Sequence, residues 1–185
     1  VVQVAGEARG PAQQVFHMVA NSALNDLTAG VLNKSQASGD ASYKLSLTLP
    51  IDQLQKTQVQ ASVTFADNDL QIIPGTPVLN RTRGVLNFTE TGFQLKGLQA
   101  QLLGGNAVLD GGLTFAQTQE ASPLQLKISG ELTADGLRQA RELGLVSRVA
   151  QRATGQTNYT ATVGLQREQP QLVILSDLKG MALSL

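Results

Sequence analysis

The chain has 185 residues, with 14 Lys plus Arg against 14 Asp plus Glu, and no sustained basic stretch to neutralise a phosphate backbone, which argues against nucleic acid as a partner. It has no cysteine, so disulfides, thiolate metal sites and cysteine nucleophiles drop out together. Charged residues make up only 15%, against about a quarter in ordinary soluble domains, and Gln, Ser, Thr and Asn carry the polarity, as expected of an extracytoplasmic β protein.

A short strand is expected around Val2 to Ala8. From Pro11 to about Leu32, Val15, Val19, Ala23, Leu27 and Val31 recur every fourth residue, which predicts an amphipathic helix with Pro11 in its first turn. From Gly39 to Pro50 the pattern changes to strict alternation. Ala41, Tyr43, Leu45, Leu47 and Leu49 fall on one side and Ser42, Lys44, Ser46 and Thr48 on the other, a half-buried strand. Val59, Ala61, Val63 and Phe65 repeat this against Gln58, Gln60, Ser62 and Thr64, and Asp67-Asn68-Asp69 is then read as a hairpin turn into Leu70 to Ile73. Further strands are expected at Gly84 to Thr89, Phe93 to Leu103, Ala107 to Phe115, Leu124 to Thr133, Gln156 to Leu165 and Leu172 to Leu175. Their short spacing favours antiparallel neighbours. A second helix is expected over 135–150, N-capped by Thr133 or Asp135, with Leu137, Ala140, Leu143, Val146 and Val149 on one face and Gly144 as a weak point.

The two helices share a context. Val2-Gln3-Val4-Ala5-Gly6-Glu7-Ala8 precedes the first, and Leu126-Lys127-Ile128-Ser129-Gly130-Glu131-Leu132 precedes the second. After them, Ala37-Ser38-Gly39-Asp40-Ala41-Ser42-Tyr43 aligns with Ala153-Thr154-Gly155-Gln156-Thr157-Asn158-Tyr159. We read one strand-helix-multistrand unit over 1–125, with its helix at 11–32, and the start of a second over 126–185, with its helix at 135–150. Each unit offers a sheet with one apolar face, and joining units edge to edge extends that face while satisfying backbone hydrogen bonds at every internal edge. The expected fold is therefore mainly β with two amphipathic helices, an elongated, curved, antiparallel sheet forming a hydrophobic groove.

Sites for chemistry are sparse. His17 is the only histidine, which rules out a histidine-rich metal site, and with no Gly-x-Ser-x-Gly elbow it reads as a helix-surface or boundary residue. Asp67-x-Asp69 has Ile72 and Val78 where a calcium loop needs Gly and Glu, so no metal is expected there. Gly104-Gly105 and Gly111-Gly112 precede no helix and read as turns or bulges. Distant strands could still bring carboxylates together for hydrolysis. Yet Trp is absent and aromatics total 4%, against the aromatic platforms of sugar-binding sites. No catalytic residue and no cofactor are expected.

The order of these features resembles the AsmA-like, YhdP-type family of bridge-like lipid-transfer proteins. The resemblance rests on Val4 to Pro11, the helix that follows, Ser38 to Pro50, the strand Gly84-Val85-Leu86-Asn87-Phe88, and Leu102-Leu103-Gly104-Gly105-Asn106-Ala107, which is similar to the family's Leu-Gly-Gly strand turn. It implies a periplasmic segment of an inner-membrane-anchored protein, its anchor outside this stretch, whose groove carries phospholipid acyl chains between the inner and outer membranes. The groove-lining candidates are Tyr43, Leu45, Leu47, Leu49, Val59, Val63, Phe65, Phe93 and Leu95. Asp or Arg at Leu47 or Val63 is expected to block lipid flow without unfolding the protein. The alternative is a structural or assembly module of the cell envelope that affects outer-membrane biogenesis without itself binding lipid; the apolar stripe by itself also fits the inner face of a closed sandwich or of a sheet covered by its own helices.

Overall fold

The computed structural model describes residues 1–21, 31–50, 57–114, 124–166 and 169–184. Among them the alternating segments form one antiparallel sheet. In spatial order its strands are β1 (Val2–Pro11), β3 (Asp40–Leu49), β4 (Gln58–Gln71), β5 (Leu79–Thr89), β6 (Gly92–Leu102), β7 (Gly105–Thr114), β8 (Leu124–Thr133), β9 (Ala153–Gln166) and β10 (Gln169–Leu175). Two short strands lie off this path: β2 (Gln36–Ala37) pairs with β4, and β11 (Met181–Leu183) with β9. Neighbours in sequence are neighbours in space, so each strand returns beside the last and the sheet stays open between β1 and β10.

Both helical connections fall at the same end of the strands. There α1 (Gln13–Ala20) and a 3-10 turn (Val31–Lys34) carry the chain from β1 to β3, while α2 (Ala134–Gln139) and α3 (Leu145–Val149), with 3-10 turns at Arg141–Leu143 and Ala150–Arg152, carry it from β8 to β9. We call this the helical end. The β5–β6 turn at Glu90-Thr91 marks the opposite end.

Three local expectations are corrected. Pro11 is not in the first helix but is the last residue of β1, opposite Asp40. The ladder outcompetes the helix there because β1 is an edge strand, where a missing N–H is tolerated, and the Ala12 N–H then donates to the Gly39 carbonyl at 2.8 Å. The described helix starts at Gln13, and Ala23 and Leu27 lie outside the described residues. The second helix is broken rather than continuous. Thr133, not Asp135, is its cap, its hydroxyl accepting from the Gly136 N–H at 2.9 Å; the first part ends at Gln139, where Ala140 leaves helical geometry, and Gly144 at φ +58° separates the following 3-10 turn from the second part.

The third correction concerns Asp67-Asn68-Asp69, which makes no turn. β4 runs straight through it, and the chain reverses beyond Gln71, where Gly75 has φ +76°. Pro74-Gly75 was the turn signal in the sequence. The triplet is instead a bulge. The β4–β5 register slips on either side of Asn68, and β5 and β6 slip alongside, with Arg81 at φ +52° and Gly97 at φ +63°. Extra residues at one level of three adjacent strands bend a sheet toward one face. Asp67 and Asp69 pin this bend. The Arg83 guanidinium reaches the Asp67 carboxylate at 3.0 Å, and the Arg81 N–H donates to Asp69 Oδ1 at 2.9 Å.

The expected Leu-Gly-Gly turn is a two-residue hairpin loop, Leu103-Gly104, with both residues at positive φ, as a loop matched to strand twist requires. Its tip packs on the start of α2, where the Thr133 N–H donates to the Leu103 carbonyl at 3.0 Å. A Cβ on Gly136 would overlap the Leu103 carbonyl, which is why glycine stands inside a helix there.

Candidate functional site

Strand register places the nine groove candidates on one face. Leu45 pairs with Ala61, Ala61 with Phe88 and Phe88 with Phe93, one row across four strands. The next row toward the helical end runs Ala8, Tyr43, Val63, Leu86, Leu95. Leu47 pairs with Val59, Ala41 with Phe65, and Leu49 with Val2. The face continues across residues not singled out in the sequence: Leu113 and Leu109 on β7, Leu126 and Ile128 on β8, Val163 and Ala161 on β9, and Leu172 and Ile174 on β10. Their alternation was present in each strand, but only pairing shows that the stripes align. The opposite face carries Glu7, Lys44, Ser62 and Asn87 in register, with Lys44 and Glu7 ion-paired at 2.9 Å.

Burial along this face is uneven. Toward the helical end, Val63 is 5%, Phe65 4% and Leu95 8% exposed, and they join Leu98, Ala107, Leu109, Leu132 and Ala161 in one cluster. The cluster also takes in Ala12 and Val15 of the first crossing, so at this end helical residues lie against the sheet face. Toward the opposite end the cover thins. Leu47, Leu49, Val59 and Phe93 are half-buried, Leu45 is 42% exposed, and Val2 and Val4 are exposed beside them. The nine candidates thus divide: Val63, Phe65 and Leu95 sit in a dry core, Leu45, Leu47, Leu49, Val59 and Phe93 face an opening, and Tyr43 lies between.

Two tyrosines bring polar atoms to this face. The Tyr43 hydroxyl donates to the Pro11 carbonyl at 2.6 Å, tying β3 to the end of β1; burial, and then the charge of Asp40, raise its pKa above the ordinary tyrosine value. Tyr159 is 4% exposed with a hydroxyl that has no hydrogen-bond partner among the described residues, and burial pushes its pKa up to about 12. Both are protonated at neutral pH. Neither is placed to act as a base.

His17 is exposed on α1. Among the described residues no three His, Asp or Glu side chains are grouped to hold a metal ion, and no helix is long and apolar enough to cross a membrane.

Beside the second crossing lies a separate concavity of about 430 Å³, lined wholly by apolar side chains of α2, α3, β11 and the connections around them. α3 is turned opposite to expectation: Ser147 and Ala150 are buried, while Val146 and Val149, assigned to the inward face of a continuous helix, are exposed with Leu145. Once Gly144 restarts the helix, the phase set by Leu137 and Ala140 no longer applies.

A family model described as YhdP protein matches residues 1–185, the whole chain. The chain belongs to the YhdP family. This places it among AsmA-like cell-envelope proteins and agrees with the open, curved antiparallel sheet. No curated protein and no solved structure matches it. The resemblance read from Val4 to Pro11, Ser38 to Pro50, Gly84 to Phe88 and Leu102 to Ala107 agrees with this match.

Proposed function

We propose that this chain is a groove segment of a periplasmic, inner-membrane-anchored lipid-transfer protein, in which phospholipid acyl chains lie against the apolar face and head groups stay in water. It acts without catalysis or cofactor and supports lipid supply between the inner and outer membranes. The observation that carries the reading is the continuous apolar face from β1 to β10, covered at the helical end and uncovered around Leu45, Leu47, Val2 and Val4. Burial of each chain CH2 there contributes about 0.8 kcal/mol, enough to hold a lipid in place of water. Aliphatic contacts repeated at the spacing of the strands favour no single position along the chain, which suits sliding. Membership of the YhdP family supports the envelope setting.

The test is photocrosslinking in living cells, with the probe at Leu45 or Leu47 of the full-length protein and at Lys44 on the polar face as control. Crosslinks to phospholipid at the first two and none at Lys44 are expected. Silence at Leu45 and Leu47 in the folded protein would overturn the reading and leave the structural or assembly role. The structure also separates two substitutions that the sequence treats alike. Leu47→Asp, at the opening, is expected to stop lipid passage while shifting stability by only about 1 kcal/mol. Val63→Asp buries an unpaired carboxylate and is expected to unfold the chain.

A further inference from the structure

The second crossing presents a surface that the groove does not explain. Leu145, Val146 and Val149 on α3, with Leu178 and Leu183 opposite them, are each more than half exposed and rim the 430 Å³ concavity. Large apolar side chains that point outward while Ser147 and Ala150 point inward mark a face built to meet something. The charges around it indicate what. From Gly136 to Gln166 the sequence has four arginines, Arg138, Arg141, Arg148 and Arg152, against one acid, Glu142, in a chain that is neutral overall. Arg138 is spent on Asp135. Arg141, Arg148 and Arg152 are exposed, and none has an ion-pair partner among the described residues. Arg148 and Arg152 stand one turn apart on the short helix and the 3-10 turn that continues it, each within a turn of Val149, and Arg141 opens the 3-10 turn that precedes Gly144 and Leu145.

We propose that the segment from Arg141 to Arg152, with Leu178 and Leu183, docks on an anionic phospholipid bilayer. The apolar rim enters the boundary between head groups and acyl chains, and Arg141, Arg148 and Arg152 meet the phosphates. Apolar side chains flanked by basic ones are the composition that binds in the interfacial plane, each part strengthening the other. Alternation of the sheet plays no part, so this docking stands whether or not the groove carries lipid.

The chain has no tryptophan, so one introduced at Val149 reports from a single place. The Val149→Trp protein, its fold checked by circular dichroism, is titrated with vesicles of phosphatidylcholine alone and of phosphatidylcholine mixed with phosphatidylglycerol. Leu145→Trp serves as a second reporter if Val149→Trp does not fold, and Gln60→Trp on the polar face is the control. A blue shift with the mixed vesicles only, absent at Gln60, is the expected result. Adding Arg148→Gln and Arg152→Gln should weaken partitioning about fivefold for each arginine removed, and raised salt should act in the same direction. An unchanged spectrum, an equal shift with neutral vesicles, or a shift produced by dispersed short-chain lipid would overturn bilayer docking. A concentration-dependent shift without vesicles would also overturn it and make the face a contact between copies. Leu47→Asp in the same background should leave the signal intact, which separates this result from failure of the groove.

Discussion

The crossings from β1 to β3 and from β8 to β9 are built to one order and finished differently. Each has a strand, a helical connection and an antiparallel return strand headed by a left-handed glycine, Gly39 or Gly155, with a tyrosine four residues on. In the first, α1 turns Val15, Phe16 and Val19 inward, the Gln13 side chain bonds Ser35 and Ala37, and Tyr43 donates to Pro11. In the second, the helix is broken between Gln139 and Leu145, α3 shows its apolar residues to solvent, and the Tyr159 hydroxyl has no hydrogen-bond partner among the described residues. The strand alongside accounts for much of this. β4 passes the first crossing unbroken and pairs with both β3 and β2, whereas β10 and β11 pair with separate stretches of β9, divided by residues 176–180. A helix face is buried by what its neighbours bring to it as much as by its own periodicity.

Substitutions can break this comparison, and the largest effect is expected at Gly136. Alanine favours a helix by about 1 kcal/mol over glycine, but here its methyl would overlap the backbone of Leu103 and Gly104. A net loss of about 3 kcal/mol by urea unfolding is expected for Gly136→Ala. A neutral or stabilising result would show that the hairpin tip does not rest on α2.

Next is Asn68, 1% exposed, whose side chain accepts from the Ala66 N–H at 3.1 Å and donates to the carbonyls of Ser38 at 2.8 Å and Asp40 at 3.1 Å. Asn68→Ala orphans all three and should cost about 2 kcal/mol. The counterpart beside β9 is Ser176, exposed, its hydroxyl donating to the Asn158 carbonyl at 2.7 Å, and Ser176→Ala should cost under about 1 kcal/mol. Equal losses would erase the distinction between the bulge and the 176–180 connection.

The tyrosines sharpen the contrast at smaller scale. Tyr43→Phe removes a made hydrogen bond and should cost about 1 kcal/mol, while Tyr159→Phe removes a buried hydroxyl with no hydrogen-bond partner among the described residues and should be neutral or stabilising. Thermal unfolding of both variants decides it.

The smallest effect is on pH. The Arg83 guanidinium holds the Asp67 carboxyl below its usual range against an opposing loss of hydration, and Arg81 adds to the lowering. A depressed carboxylate pKa gives a contribution fully present above the unfolded value and lost as pH falls through the folded one. Amide exchange at Arg83 should therefore accelerate, relative to the rest of β5, only below the ordinary carboxylate range. Asp67→Asn should abolish that dependence. Because the pair is solvent-exposed, global stability should barely respond.

The period-2 stripes in β3, β4 and β6 were legible because side chains on a strand must alternate, so a solvated face and a buried face leave opposite residues at every second position. That was enough for an antiparallel sheet with one apolar face, for both crossings, and for all nine candidates lying on that face. Three things were decided only by tertiary structure. Asp67-Asn68-Asp69 has the composition of a turn, and it became a bulge because Arg81, Arg83, Ser38 and Asp40, remote in sequence, take its polar groups. Pro11 joined β1 because β3 was there to pair with. Which apolar residues are core and which are opening, Val63 against Leu47, depends on how far the sheet curls over itself, and that follows from bulges aligned across three strands, a relation between registers that no single segment of sequence contains.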